Sequence, residues 1–174
     1  MGHFAVREKP VCPLNHVPAL DLYFERQVDL TPDEMWRAWT NPALMVQWFT
    51  PAPLRTLEAE MDARPGGRFR TMMAGPEGPT VEGDGCVLAA EPGARFAWTN
   101  AMRPGFRPLV LNGEGDFPFV AELSFESRDG GTHYCAVARH ATPEDRERHG
   151  AMNFEEGWGA ALAQMVTLMQ GLRG

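Results

Sequence analysis

The stretch from Thr142 to the end of the chain constrains the fold more than any other. Phe154, Trp158, Leu162, Met165, Met169 and Leu172 recur at spacings of three and four, the signature of one apolar helix face. Thr142 is placed to cap the start of this region, with Pro143, Glu144 and Asp145 in the first turn. Before it, from about residue 54, the pattern has a period of two, punctuated by Gly and Pro turns. One long helix must therefore cover a sheet built from everything else. Gly157 and Gly159 flank Trp158 inside the stripe. Glycine in a helix interior costs about 1 kcal/mol against alanine, so a close approach by the sheet or by a ligand is expected there.

The remaining elements follow from local rules. Leu20, Leu22 and Phe24 alternate with Asp21, Tyr23 and Glu25, which predicts a strand over Leu20–Leu30. Thr31, Pro32 and Glu34 form a capping box for a helix running to about Thr40. A second short helix is expected over Pro42–Trp48. Leu57, Ala59, Met61 and Ala63 then alternate with acidic residues, and strands follow at Arg68–Met73, Val81–Ala90 and Ala94–Asn100. Gly83 and Gly85 suggest a bulge in the second of these. Ala101–Pro118 reads as a long loop of the kind that serves as a lid. Phe119–Arg128 and Thr132–Ala141 form a hairpin around Asp129, Gly130 and Gly131. The expected fold class is α+β, an antiparallel sheet wrapped around the C-terminal helix. Residues 1–18 are expected to form an irregular arm and residues 19–174 a single domain.

Composition narrows the function. The formal charge is −7, which argues against general affinity for nucleic acid or an anionic membrane. No apolar run approaches the roughly 20 residues of a membrane helix, and the N-terminus lacks the apolar core of a secretory signal. A cytoplasmic location is expected. A single lysine beside fifteen arginines, with 18 Gly and 15 Pro, reads as the codon usage of a GC-rich bacterial genome. Cys12, Cys86 and Cys135 are too few for a disulfide framework, and Cys12 with His16 does not make the ligand set of a zinc site. No metal and no cofactor are expected. The serine-hydrolase elbow, the zinc-protease helix, the phosphate loop and the dinucleotide fingerprint do not occur.

Several segments together resemble a known superfamily. They are Trp36 to Pro42 with Trp48, Met61 to Phe69, Phe96 to Thr99, Gly130 to Thr132 and Met152 to Trp158. In this order and spacing, over about residues 20–172, they are similar to the SRPBCC superfamily of START lipid-transfer domains, polyketide cyclases and birch-pollen-allergen-like proteins. The resemblance is to the branch that includes the C-terminal domain of the activator of the large heat-shock chaperone ATPase. It implies a helix-grip fold with a hydrophobic cavity between sheet and long helix. It implies no shared catalytic motif. Members that activate the chaperone carry a further N-terminal domain, whereas about 19 residues precede the first strand here, so ligand binding is expected ahead of chaperone activation.

The pocket residues follow from strand parity and the helix stripe. They are Phe69, Met73, Trp98, Tyr134 and His140 on strands, and Phe154, Trp158, Leu162 and Met165 on the helix. Phe106 and Phe117 are expected to gate the opening from the 101–118 loop. Tyr134 and His140 share a strand face and are the candidates for acid–base chemistry, their alternative being satisfaction by backbone carbonyls. The charge run from Glu144 to Arg148 reads as a solvated helix face. The expected function is binding of a small, largely hydrophobic molecule. The alternatives are a cyclase- or hydratase-type enzyme using the same cavity, and a protein-interaction or chaperone-modulating module. A homodimer exchanging the Met1–Pro18 arm is a further possibility.

Overall fold

The computed structural model describes residues 12–113 and 115–173. The greater part of the proposed exchange arm, residues 1–11, lies outside them. β1 (Asp21–Val28) leads into α1 (Pro32–Thr40), where the Thr31 hydroxyl accepts the Glu34 N–H at 3.2 Å and Pro32 opens the first turn. Asn41 caps α2 (Pro42–Met45) through its side-chain oxygen. α2 stops short of Trp48 because Gln47 and Trp48 bond back three residues, to Leu44 and Met45, tightening the chain out of the α-helix. The Trp48 indole N–H then donates to Ala38 O at 3.1 Å, fixing the two helices together.

A meander follows: β2 (Arg55–Met61), β3 (Arg68–Ala74), β4 (Thr80–Glu91) and β5 (Arg95–Thr99). The expected long loop carries a small ribbon of its own, β6 (Met102–Arg103) and β7 (Arg107–Pro108). β8 (Phe119–Arg128) and β9 (Gly131–His140) form the hairpin, turned by Asp129 at φ 51° and Gly130 at φ 79°. The seven long strands make one curved antiparallel sheet in the order β1-β9-β8-β5-β4-β3-β2.

Two strand details differ from the sequence pattern. The β2–β3 register shifts between Thr56 and Glu58, which turns Leu57 out to solvent. β4 slips at Val87/Ala89 rather than at its glycines. Gly85 serves a close approach instead, since a Cβ there would lie 2.4 Å from the Thr99 carbonyl oxygen.

The terminal helical region divides into α3 (Pro143–Ala151) and α4 (Phe154–Gly171). Between them Asn153 takes the left-handed conformation at φ 58°, which its short polar side chain tolerates. α4 buries Phe154, Ala161, Leu162, Met165 and Met169 against the concave face of the sheet. Each large side chain so buried stabilises the fold by about 1.5–3 kcal/mol before entropy is counted. The same core holds Phe24, Met35, Trp39, Phe96, Trp98, Leu123, Phe125 and Tyr134. No helix among the described residues is long and apolar enough to cross a membrane.

The glycines beside Trp158 are not explained by close packing. A Cβ on Gly157 would meet nothing within 4 Å, and one on Gly159 would make ordinary contact with Phe24 at 3.9 Å. The sheet curves away from α4 at this point, and Gly157 borders open space.

Candidate functional site

That open space is a cavity in two chambers. The inner chamber, about 350 Å³, lies under the first turns of α4. Trp39, Trp48 and Phe49 wall one side, Trp98 and Tyr134 the sheet side, and Phe154, Trp158, Leu162 and Met165 the helix side. Leu54 and Met152 line it as well and are largely exposed, which marks its mouth. The outer chamber, about 720 Å³, lies over β3, β4 and β5 and is more polar, with Arg68, Glu82, Asp84, Arg103 and Asp116 at its rim. Phe49, Met73, Trp98, His149 and Trp158 line both chambers and form the waist between them.

The roof over the inner chamber is the segment after α2, held by one side chain. Gln164 of α4 donates from Nε2 to Trp48 O and Thr50 O, both at 2.9 Å, and its Oε1 accepts the Ala52 N–H at 2.9 Å. These bonds tie Phe49, Pro51 and Leu54 to the helix they cover.

Of the sequence-derived candidates, Met73, Trp98 and Trp158 line both chambers. Phe69 lines the outer one, and Tyr134, Phe154, Leu162 and Met165 line the inner one. Phe106 lines neither. It sits at φ 59° in the tight β6–β7 turn, its ring packed on the face of Gly66, where an added Cβ would lie 3.1 Å away. The Gly105 N–H bond to Gly66 O at 2.8 Å holds that turn against the β2–β3 connection, away from the cavity. The 101–118 segment instead presents Arg103, Leu109, Leu111 and Asp116 to the outer chamber. Phe117 stacks near the histidines described next, with its carbonyl held by Asn100 Nδ2 at 2.9 Å.

His140 and Tyr134 share the concave face of β9, but six extended residues separate them by about 20 Å, so they do not form an acid–base pair. His140 does not line the cavity. Its Nδ1 lies 2.8 Å from Leu20 O and its Nε2 lies 2.8 Å from His149 Nδ1. A carbonyl only accepts, so His140 Nδ1 carries the proton and its Nε2 accepts from His149 Nδ1–H. The relay leaves His149 Nε2 as an acceptor without a donor among the described residues, on a ring that lines the waist of the cavity.

His149 is the residue that sequence reasoning missed. It stands in the last turn of α3, at the end of the charged run, boxed by Phe117, Phe119, Phe154 and His140 at ring-centroid distances of 5.1–5.3 Å. Burial, and secondarily the neighbouring His140, push it down to about 4. It is therefore a neutral imidazole at neutral pH.

Two residues in the lining of the inner chamber carry further polar groups. Trp39, 2% exposed, has a buried indole N–H that makes no regular hydrogen bond among the described residues and whose nearest partner is the Tyr134 hydroxyl. The Tyr134 hydroxyl is held far above its usual range by burial, with the Trp39 indole offsetting part of that effect. The arrangement places the Tyr134 hydroxyl on the wall of an apolar pocket and the His149 imidazole at its waist.

Comparison with known proteins agrees with the architecture. Protein NE0264 from Nitrosomonas europaea is 34% identical over 91% of this chain and 99% of its own, with a TM-score of 0.84. A protein from Rhodobacter sphaeroides is 25% identical over 88% of this chain and 94% of its own, with a TM-score of 0.74. Protein Ms6760 from Mycobacterium smegmatis, 22% identical over 94% of this chain and 99% of its own, shares the fold with a TM-score of 0.73. Comparison with curated proteins finds no match. The model of the family described as Activator of Hsp90 ATPase homolog 1-like protein matches residues 29–170, so the chain belongs to that family.

Proposed function

We propose that the protein binds a small, largely apolar molecule between the sheet and α4. The observation that carries this reading is the two-chambered cavity, whose inner wall is almost wholly aromatic and aliphatic. Its volume falls in the range of small-molecule pockets. The polar groups narrow the ligand's chemistry. Tyr134 O–H would donate to a carbonyl or ether oxygen in the inner chamber, and His149 Nε2 would accept from a hydroxyl or amide at the waist. A neutral compound with a flat or aliphatic body and one such group at each end fits best.

The same histidine bears on catalysis. A general base works best with a pKa near the operating pH, and His149 at about 4 is far below it. The relay from Leu20 through His140 thus favours a fixed acceptor over a proton carrier. A chaperone-modulating role draws on the family's description, whereas the binding reading draws on the chain's own geometry.

The test is a thermal-shift screen of lipids and aromatic metabolites, with Trp158→Ala to enlarge the waist and Met73→Trp to block it. Binding predicts that a hit stabilises the wild type and that Met73→Trp abolishes the response. If no hydrophobic compound stabilises the wild type, or both variants respond as it does, the reading fails.

A further inference from the structure

On the opposite face of the sheet a second group of side chains converges, unconnected with the cavity. β1 and β9 pair so that Glu25 lies directly across from Cys135, and His133 is two residues from Cys135 on the same face. The chain before β1 runs back over this face. Leu14 packs with Cys135 and Val137, and Cys12 packs beside them. Cys12 Sγ, Cys135 Sγ and a Glu25 carboxylate oxygen all lie within 4.8 Å of one another. His133 Nε2 joins them, 3.4 Å from Glu25 Oε2 and 3.9 Å from Cys135 Sγ, while Cys135 Sγ is 3.8 Å from Glu25 Oε2.

The Glu25–His133, Glu25–Cys135 and His133–Cys135 separations match those of ligands sharing one metal ion, whereas His133 stands farther from Cys12 than the 4.8 Å that holds the other three together, so an ion would have to draw these two in. Donors bound tetrahedrally at zinc distances of 2.0–2.3 Å stand about 3.3–3.8 Å apart. The surroundings also match. His133 is 1% exposed, and its Nδ1 has no hydrogen-bond partner yet lies 3.6 Å from Glu126 Oε2. An imidazole that ligates through Nε2 carries its proton on Nδ1, and a carboxylate behind it is the usual orienting group. The Tyr23 hydroxyl donates to Glu25 Oε2 and fixes the carboxylate. No Arg or Lys among the described residues comes within ion-pair distance of that carboxylate; its neighbours are the Tyr23 hydroxyl and the Cys135 thiol, which donate to it, and His133 Nε2. A disulfide between Cys12 and Cys135 would need neither the histidine nor the carboxylate.

We propose that Cys12, Glu25, His133 and Cys135 form a zinc site that fastens the segment before β1 to the outer face of the sheet. Four protein ligands close the coordination sphere, as in structural rather than catalytic zinc sites. Two sulfur donors select zinc over magnesium or calcium. The sequence alone argues against a metal because the four residues come from three distant segments, and Cys12 has its partners across the sheet rather than at His16.

The test is titration of the reduced full chain with Co²⁺ as a spectroscopic stand-in, together with elemental analysis for zinc. The proposal expects about one ion per chain, a thiolate-to-cobalt charge-transfer band and a tetrahedral visible spectrum. Cys12→Ser and Cys135→Ser should each lose about half the charge-transfer intensity. Glu126→Gln should weaken binding about tenfold, and Cys86→Ala, with its thiol on β4, should leave stoichiometry unchanged. Should Cys135→Ser not fold, Cys12→Ser, on the partly exposed segment, keeps the test intact. Absence of a charge-transfer band, or stoichiometry and intensity unaltered in Cys12→Ser, overturns the proposal. So does a Cys12–Cys135 disulfide in protein prepared without reductant, if reduction then yields no metal uptake.

Discussion

Acidification should destabilise this protein through one imidazole. His149 stands at about 4 in the folded chain against 6.5 in an unfolded one, mainly because protonation would charge a ring buried among Phe117, Phe119 and Phe154. Between these two values the unfolded state binds more protons than the folded state, so stability rises with pH in that window. The contribution is complete above pH 6.5, declines as pH falls through that value, and levels off below about 4. The whole shift corresponds to about 3 kcal/mol, and about 2 kcal/mol of it has developed by pH 5. The ring edge open to the cavity is screened by water, which we take to halve the effect to about 1 kcal/mol at pH 5. For a chain of this length that is a few degrees of melting temperature. The reference is His149→Gln, whose side-chain amide can still donate to His140 Nε2 but does not titrate. Urea denaturation at pH 7.5 and pH 5 should show the wild type losing about 1 kcal/mol more than the variant. Parallel losses would mean that the ring is solvated, and the relay from Leu20 through His140 to His149 would then be wrong.

Two other substitutions probe the cavity directly. Gly157→Ala places its methyl group where no atom lies within 4 Å, so it should stabilise the free protein by about 0.5–1 kcal/mol and weaken any ligand held in the inner chamber; a loss of stability by calorimetry would mean that the space is filled. Gln164→Ala removes three hydrogen bonds to the roof and should cost about 2–3 kcal/mol. Amide exchange at Ala52 should quicken while the β8–β9 hairpin stays protected, and an unchanged Ala52 rate would show that the roof is held by other contacts.

The parts of the fold legible in the sequence are those fixed by neighbours along the chain. The Thr31 and Thr142 caps, the Asp129–Gly130 turn and the parity of β8 and β9 are each decided within a few residues, and the structure has them. The misplaced features depend on contacts between segments. Leu57 has the parity of an inward residue, but it is itself the residue skipped in the register between Thr56 and Glu58 and so points out. Phe106 is an aromatic in a long loop, yet the glycine at position 66 offers it a flat surface outside the cavity. The glycines beside Trp158 pointed to a special place on α4, but the space at Gly157 and the ordinary contact at Gly159 come from the sheet curving away, which no local pattern records.

His149 shows why a site can escape a correct reading of its elements. Its neighbours Arg148 and Glu147 are exposed, and a run of charges at helical spacing is properly read as a wet surface. One position further on, the last turn of α3 rotates past the solvent side and meets β9. The contact exists because the chain reverses at Thr142, bringing residue 149 over residue 140. His140 had the right face of the strand and the wrong role: Leu20 O fixes its proton, and the acceptor lone pair emerges one ring further along, at the waist of the cavity. The sequence could place the first histidine on the concave face, but only the reversal, a tertiary event, hands its polarity to the second. The acceptor at the waist of the cavity is therefore a product of how α3 docks, and substitutions that shift α3 should alter which polar groups the cavity accommodates while leaving the apolar walls untouched.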